Sequence, residues 1–110
     1  MTYQHQALAA GRWSTLPFCE QMANIGGEIE RALGWREKRN AAYAARAFER
    51  ALELLDLTLA AARTRGRLKE VARVREAVVD DFAGTNMFGS TPAVWRGYFL
   101  PFAYAARRTR

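Results

Sequence analysis

His5 is the only histidine of this chain and Cys19 the only cysteine. That composition leaves no Ser–His or Cys–His nucleophile pair beyond what one arm histidine could serve, no site built on two histidines and no cysteine zinc site. The Arg-to-His motif of helical ribonucleases is missing as well. Carboxylates occur along the chain, but no Glu-x-x-His accompanies them, so the di-iron bundle pattern is absent. Asp80 and Asp81 are adjacent on an expected helix and cannot both face one site. The binary pattern puts most carboxylates on solvated faces. Gly84 to Gly89 has neither the spacing nor the lysine of a phosphate loop. We therefore expect a non-enzyme, with no catalytic residue, no cofactor and no metal.

Arginine is the remaining chemistry. The net charge is +6, and the only lysines are Lys38 and Lys69. Guanidinium groups favour bidentate contacts to phosphate. Position matters more than total. Residues 84–110 contain Arg96, Arg107, Arg108 and Arg110 and no acid, while the second turn holds Arg63, Arg65 and Arg67. If that turn, the start of the first helix and the end of the last share one pole, Arg12 joins them there. The nucleic-acid-binding candidates are then Arg12, Arg63, Arg65, Arg67, Arg107, Arg108 and Arg110. Helix-end electrostatics accounts for Arg63 and Arg107 singly, but not for all seven at one end. Arg75 is a separate case. It falls between Val71, Ala72, Val78 and Val79 on an apolar stripe. There it is expected to form a buried or half-buried ion pair with Glu30, Glu53 or Asp56, or to sit in an interface.

Four helical segments must position these groups. Ala44, Ala47, Phe48, Ala51, Leu52, Leu55, Thr58, Leu59 and Ala62 recur at three-and-four spacing, the mark of an amphipathic helix. Weaker repeats predict helices over 15–36, 67–83 and 92–107 beside this one at 41–64. Ser14 or Thr15 is the expected first cap, Asn40 the second, and Thr91 followed by Pro92 starts the last helix. Gly66 is expected to stop the second helix, and Pro101 to kink the fourth. Short connections favour antiparallel neighbours. The fold class is all-α, an antiparallel up-down-up-down four-helix bundle at residues 14–110, behind a loose arm at 1–13. Gly26-Gly27 inside the first helix points to the close approach of another backbone or to a kink. Trp95, Tyr98, Phe99 and Phe102 form the stripe of the fourth helix. The chain is rich in large aromatics, and that surplus points to a homo-oligomer with helix one or four at the interface. No run approaches the roughly 20 apolar residues of a membrane span, and the N-terminus does not read as a signal peptide, so the cytoplasm is expected.

Gln21–Lys38 (QMANIGGEIERALGWREK), Arg50–Thr58 (RALELLDLT), Gly66–Glu70 (GRLKE) and Tyr98-Phe99 to Arg107 resemble a family of short prokaryotic helical-bundle proteins. That resemblance implies a shared fold and no particular activity. In size, charge and helix order the chain also resembles the accessory bundle of diversity-generating retroelements. This implies a basic oligomer working with RNA beside a reverse transcriptase. The expected function is a non-enzymatic accessory protein that oligomerises and binds RNA or DNA or a nucleoprotein partner. The alternative is a protein-interaction module similar to a non-catalytic HEPN-type partner of a nucleotidyltransferase, in a toxin–antitoxin-like pair.

Overall fold

Proline, asparagine and threonine set the helix starts in the computed structural model, which describes residues 11–108. Helix α1 spans Phe18–Glu37, α2 Ala41–Ala61, α3 Arg65–Ala83 and α4 Pro92–Arg108. A short 3-10 turn, Trp13–Thr15, precedes them. Among the described residues there is no strand.

The first helix begins later than the cap residues predicted. Ser14 and Thr15 turn their hydroxyls back to donate to the Gly11 and Arg12 carbonyls, at 2.7 Å each. Pro17 takes the N-cap position instead. Asn40 behaves as expected, its Oδ1 accepting from the Tyr43 amide at 3.1 Å. Thr64 caps α3 by accepting from the Arg67 amide. Helix α2 therefore ends at Ala61, and Gly66 lies in the first turn of α3 rather than stopping α2. Thr91 accepts from the Val94 amide and Pro92 opens α4, which runs on through Pro101.

Helix α1 is the central element, packing against both α2 and α4, while α3 packs on α2. The core joins Met22, Ile25, Ile29 and Leu33 of α1 to Leu54 and Leu55 of α2, Val71, Val74 and Val78 of α3, and Trp95 and Phe99 of α4. Each fully buried aliphatic contributes about 1.5–3 kcal/mol. Helix pairing is specific. Glu28 accepts from Arg50, Trp35 meets Tyr43, and Phe48 stacks on Phe82.

The loose arm expected at residues 1–13, with His5, lies mostly outside the described residues. Its last residue corrects that reading: Trp13 is only 2% exposed. Its indole Nε1 donates to Thr58 Oγ1 at 2.9 Å, and its carbonyl accepts from Gln21 Nε2. A buried indole needs such an acceptor, and Thr58 on the apolar stripe of α2 supplies it.

The sequence pattern turns Leu68, Val71, Ala72, Val78, Val79 and Phe82 of α3 inward, and of these Val71 and Val78 are buried and Val79 and Phe82 half-buried. Leu68 and Ala72 are exposed, whereas Val74 is buried. Because α3 rests mainly on α2, a narrow stripe of Val71, Val74 and Val78 suffices to seat it.

Candidate nucleic-acid interface

Three contacts gather one end of the molecule. The Trp13–Thr58 hydrogen bond brings the segment before α1 to the end of α2. Phe18 at the start of α1 meets Phe102 of α4 edge to face, centroids 6.0 Å apart. The Arg67 guanidinium lies over the Phe18 ring at 4.9 Å, which adds the start of α3. Arg12, Arg63, Arg65, Arg67, Arg107 and Arg108 all belong to these converging ends, and all are exposed. Arg110 lies outside the described residues.

Among the described residues, no carboxylate comes within 4.0 Å of any of these six guanidinium groups. Five arginines elsewhere are committed, while Arg39, Arg46 and Arg73 are exposed and make no ion pair among the described residues. Arg31 and Arg50 hold Glu28, Arg36 holds Asp81, and Arg96 sits between Glu30 and Glu37. Both carboxylates hydrogen-bond the Arg96 guanidinium and push its pKa upward. Arg96 therefore differs in kind from Arg107 and Arg108, although all three lie in the same acid-free stretch of sequence.

The basic surface extends further than the seven predicted residues. Arg65, Lys69 and Arg73 recur every four residues on α3, and all three are exposed without a carboxylate partner among the described residues. At a rise of 1.5 Å per residue their charges are spaced roughly 6 Å along the helix. That i, i+4, i+8 spacing is visible in the sequence and was the signal that could have found them. Lys69 and Arg73 line a groove of about 500 Å³ with Glu70 and Tyr98. The Tyr98 hydroxyl donates to Glu70 Oε2 at 2.6 Å. Burial first, and the Glu70 carboxylate second, push the Tyr98 pKa well above its ordinary value.

Arg75 is half-buried and makes an ion pair with Asp56, one of its three expected partners. Its Nε donates to Asp56 Oδ1 at 2.8 Å, with side-chain exposures of 38% and 44%. Its length carries the guanidinium from the edge of the apolar stripe to the α2–α3 seam. A pair so open to solvent contributes no more than about 1 kcal/mol. Gly26 is close-packed against the root of the Phe99 side chain on α4: a Cβ there would stand 2.8 Å from Phe99 Cβ and Cγ. Gly27 has no such neighbour, a Cβ meeting only Arg31 Nη1 at 3.8 Å. Trp95 and Phe99 are buried against α1 and Tyr98 and Phe102 half-buried, so the aromatic stripe, a candidate for core or interface, packs into the chain's own core.

Three carboxylates are exceptions to the solvated faces expected for most of them. Glu28 and Glu53 are buried, and the Asp81 side chain is 4% exposed. Asp81 accepts from Arg36 Nη1 at 2.8 Å and Trp95 Nε1 at 2.7 Å, tying α1, α3 and α4 together. Its neighbour Asp80 accepts from the Met87 and Phe88 amides and shapes the α3–α4 loop. The two aspartates thus do separate structural work, as adjacent helix positions require. A second groove, about 630 Å³, is lined by Phe48, Phe82, Arg36, Arg39 and Glu49 near the start of α2, away from the arginine pole. Among the described residues no group of three or more His, Cys, Asp and Glu side chains is placed to hold a metal ion. No described helix is long and apolar enough to cross a membrane.

The arginine pole can grip phosphates. Guanidinium groups with no competing carboxylate make charge-assisted, bidentate contacts to phosphate oxygens. Such contacts position a nucleic acid without reading its bases. No protein-family model matches the chain, and no curated protein or solved structure was found similar to it.

Proposed function

We propose that this chain is a non-enzymatic, basic accessory protein of the cytoplasm that oligomerises and binds nucleic acid, alone or within a nucleoprotein complex. The observation that carries this reading is the cluster of six exposed arginines at one end, none with a carboxylate partner among the described residues. The ridge of Arg65, Lys69 and Arg73 lengthens the same surface. An antiparallel up-down-up-down order of helices underlies the pole. It is supported by the pairs Glu28–Arg50 across α1 and α2, Asp56–Arg75 and Phe48–Phe82 across α2 and α3, and Phe18–Phe102 and Glu30–Arg96 across α1 and α4. With Trp35–Tyr43 as the second α1–α2 contact, each helix pair has two contacts in which the later residue of one helix meets the earlier residue of the other. The likeness to the retroelement accessory bundle makes RNA, beside a reverse transcriptase, the first partner to try.

The test is gel retardation of RNA and duplex DNA over a salt series. Binding by neutralised phosphates weakens linearly in log–log plots, with a slope of about −0.9 per phosphate on duplex DNA and about −0.7 on single strands. Little sequence preference is expected, because the contacts go to phosphates. Absence of retardation at low salt refutes the reading and leaves the protein-interaction module, the HEPN-type alternative, in its place.

A further inference from the structure

Helix α4 is apolar on the side it turns away from the rest of the chain. At about 100° per residue, Ala93, Val94, Gly97, Leu100, Pro101 and Tyr104 share an arc of roughly 120°, and all six are exposed. Leu100 is 64% exposed, Tyr104 58% and Val94 55%. Arg96 and Arg107 border the arc on one edge, and no charge falls inside it before Arg108 at the last turn. A helix on a solvated surface carries its charged residues on that outer face. With Trp95, Phe99 and Ala106 buried on the inner face, α4 is apolar nearly all round, the pattern of a helix covered on both sides.

Gly97 lies in the middle of the arc. Among the described residues nothing stands within 4 Å of where its Cβ would be, so their packing does not call for glycine there. Glycine weakens a helix, and a gap at the centre of an apolar face lets a second helix come close. The charges have the matching polarity. Beside the arc Arg96 is held by two carboxylates, Glu30 at 3.0 Å and Glu37 at 3.2 Å, both about half exposed. One guanidinium between two carboxylates leaves a surplus negative charge, and Arg107 lies on the same edge of the helix.

From this we infer that the outer face of α4 is the contact surface for a second copy of the chain, the two α4 helices packing antiparallel across a two-fold axis near Gly97 and Leu100. A two-fold axis pairs like edge with like edge. Arg107 of each copy then approaches the Glu30–Arg96–Glu37 cluster of the other, and Tyr104 approaches Ala93 and Val94. A lipid surface fits less well. It has no use for a gap at the centre of the arc, and the surplus carboxylate would repel anionic headgroups. The pairing deepens the oligomerising part of the proposed function, and it leaves Arg12, Arg63, Arg65 and Arg67 free for phosphate.

The test is light scattering of the full chain at about 100 µM without nucleic acid, with gel retardation of RNA measured separately. The wild type should show about twice the chain's 12.4 kDa. Leu100→Glu removes two interface leucines at once, and the dimer dissociation constant should rise by about a hundredfold, the loss expected of a central anchor. Should Leu100→Glu lose helicity, Gly97→Leu decides. It fills the gap while improving helix propensity, and it should give a folded monomer. A monomeric wild type overturns the inference, whether or not it sediments with anionic vesicles. So does a dimer that survives both variants. Retardation of RNA by a monomeric wild type separates the failure of this interface from failure of the phosphate reading.

Discussion

Replacing Gly26 and Gly27 by alanine, one at a time, should change stability in opposite directions. Both lie inside α1, where alanine is favoured over glycine by about 1 kcal/mol. At Gly27 the new methyl would meet only Arg31 Nη1 at 3.8 Å, an ordinary contact with the end of a flexible side chain. The full helix gain should appear, and Gly27→Ala should stabilise by about 0.5–1 kcal/mol. At Gly26 the methyl would stand 2.8 Å from Phe99 Cβ and Cγ, well inside the 3.4–4 Å of normal contact. Phe99 Cβ is fixed to the backbone of α4, so relief requires α4 to move off α1. Overpacking of this kind costs about 1–3 kcal/mol. Set against the helix gain, Gly26→Ala should destabilise by about 1 kcal/mol, a gap of about 2 kcal/mol between the two variants. Urea denaturation at one fixed protein concentration measures both, and a melting-temperature difference of several degrees should accompany it. In a Phe99→Leu background the penalty at Gly26 should shrink, because the two sites share one contact. Equal stabilisation by the two alanines would refute the packing argument.

Asp81→Asn should destabilise by about 2–3 kcal/mol in urea melts, because both neighbours of the carboxylate are donors and one would face an amide NH₂. The exposure of Arg36 keeps the loss below that of a fully buried pair. Trp13→Phe removes the indole donor to Thr58 and should cost about 1–2 kcal/mol, read as a lower urea midpoint. Asp80→Ala should leave global stability nearly unchanged while hydrogen exchange speeds up at the Met87 and Phe88 amides, which lose their acceptor. At alkaline pH the native Tyr98 stays protonated above the range in which the unfolded chain loses that proton. Its contribution is present below pH 10 and declines as pH rises toward the raised native pKa. Tyr98→Phe should therefore flatten the alkaline end of the stability profile, and an unchanged slope would contradict the Tyr98–Glu70 contact.

Helix periodicity survived into the structure wherever one stripe of the helix dominated. Ala44, Ala47, Ala51, Leu55 and Thr58 are buried as their spacing required, since α2 faces both α1 and α3. On α3 periodicity marks Val71 and Val78 but misses Val74, because apolar residues cover too wide an arc to fix its rotation. The Leu68 and Val74 positions were decided by how narrowly α3 rests on α2, a tertiary fact. Polar burial was the least legible feature. Nothing local marks Thr58 as the acceptor for Trp13, or Asp81 as the acceptor for Trp95 and Arg36. Those pairs span 45, 14 and 45 residues. The arginine pole was legible in outline because connectivity alone constrains which helix ends can meet. Lys69 and Arg73 form a ridge that runs along α3, and the position of helix ends alone does not reveal it.

Salt dependence of nucleic-acid binding by the wild type and by an Arg63→Ala, Arg65→Ala, Arg67→Ala triple variant tests the central claim most directly. These residues lie at and after a helix end and take no part in ion pairs among the described residues. Helicity should therefore be kept. The account expects retardation of RNA or DNA by the wild type, a linear log–log salt plot, and a slope shallower by about 2 in the triple variant if two or three phosphate contacts are lost. Identical slopes for the two proteins, or no binding by the wild type at low salt, would contradict it.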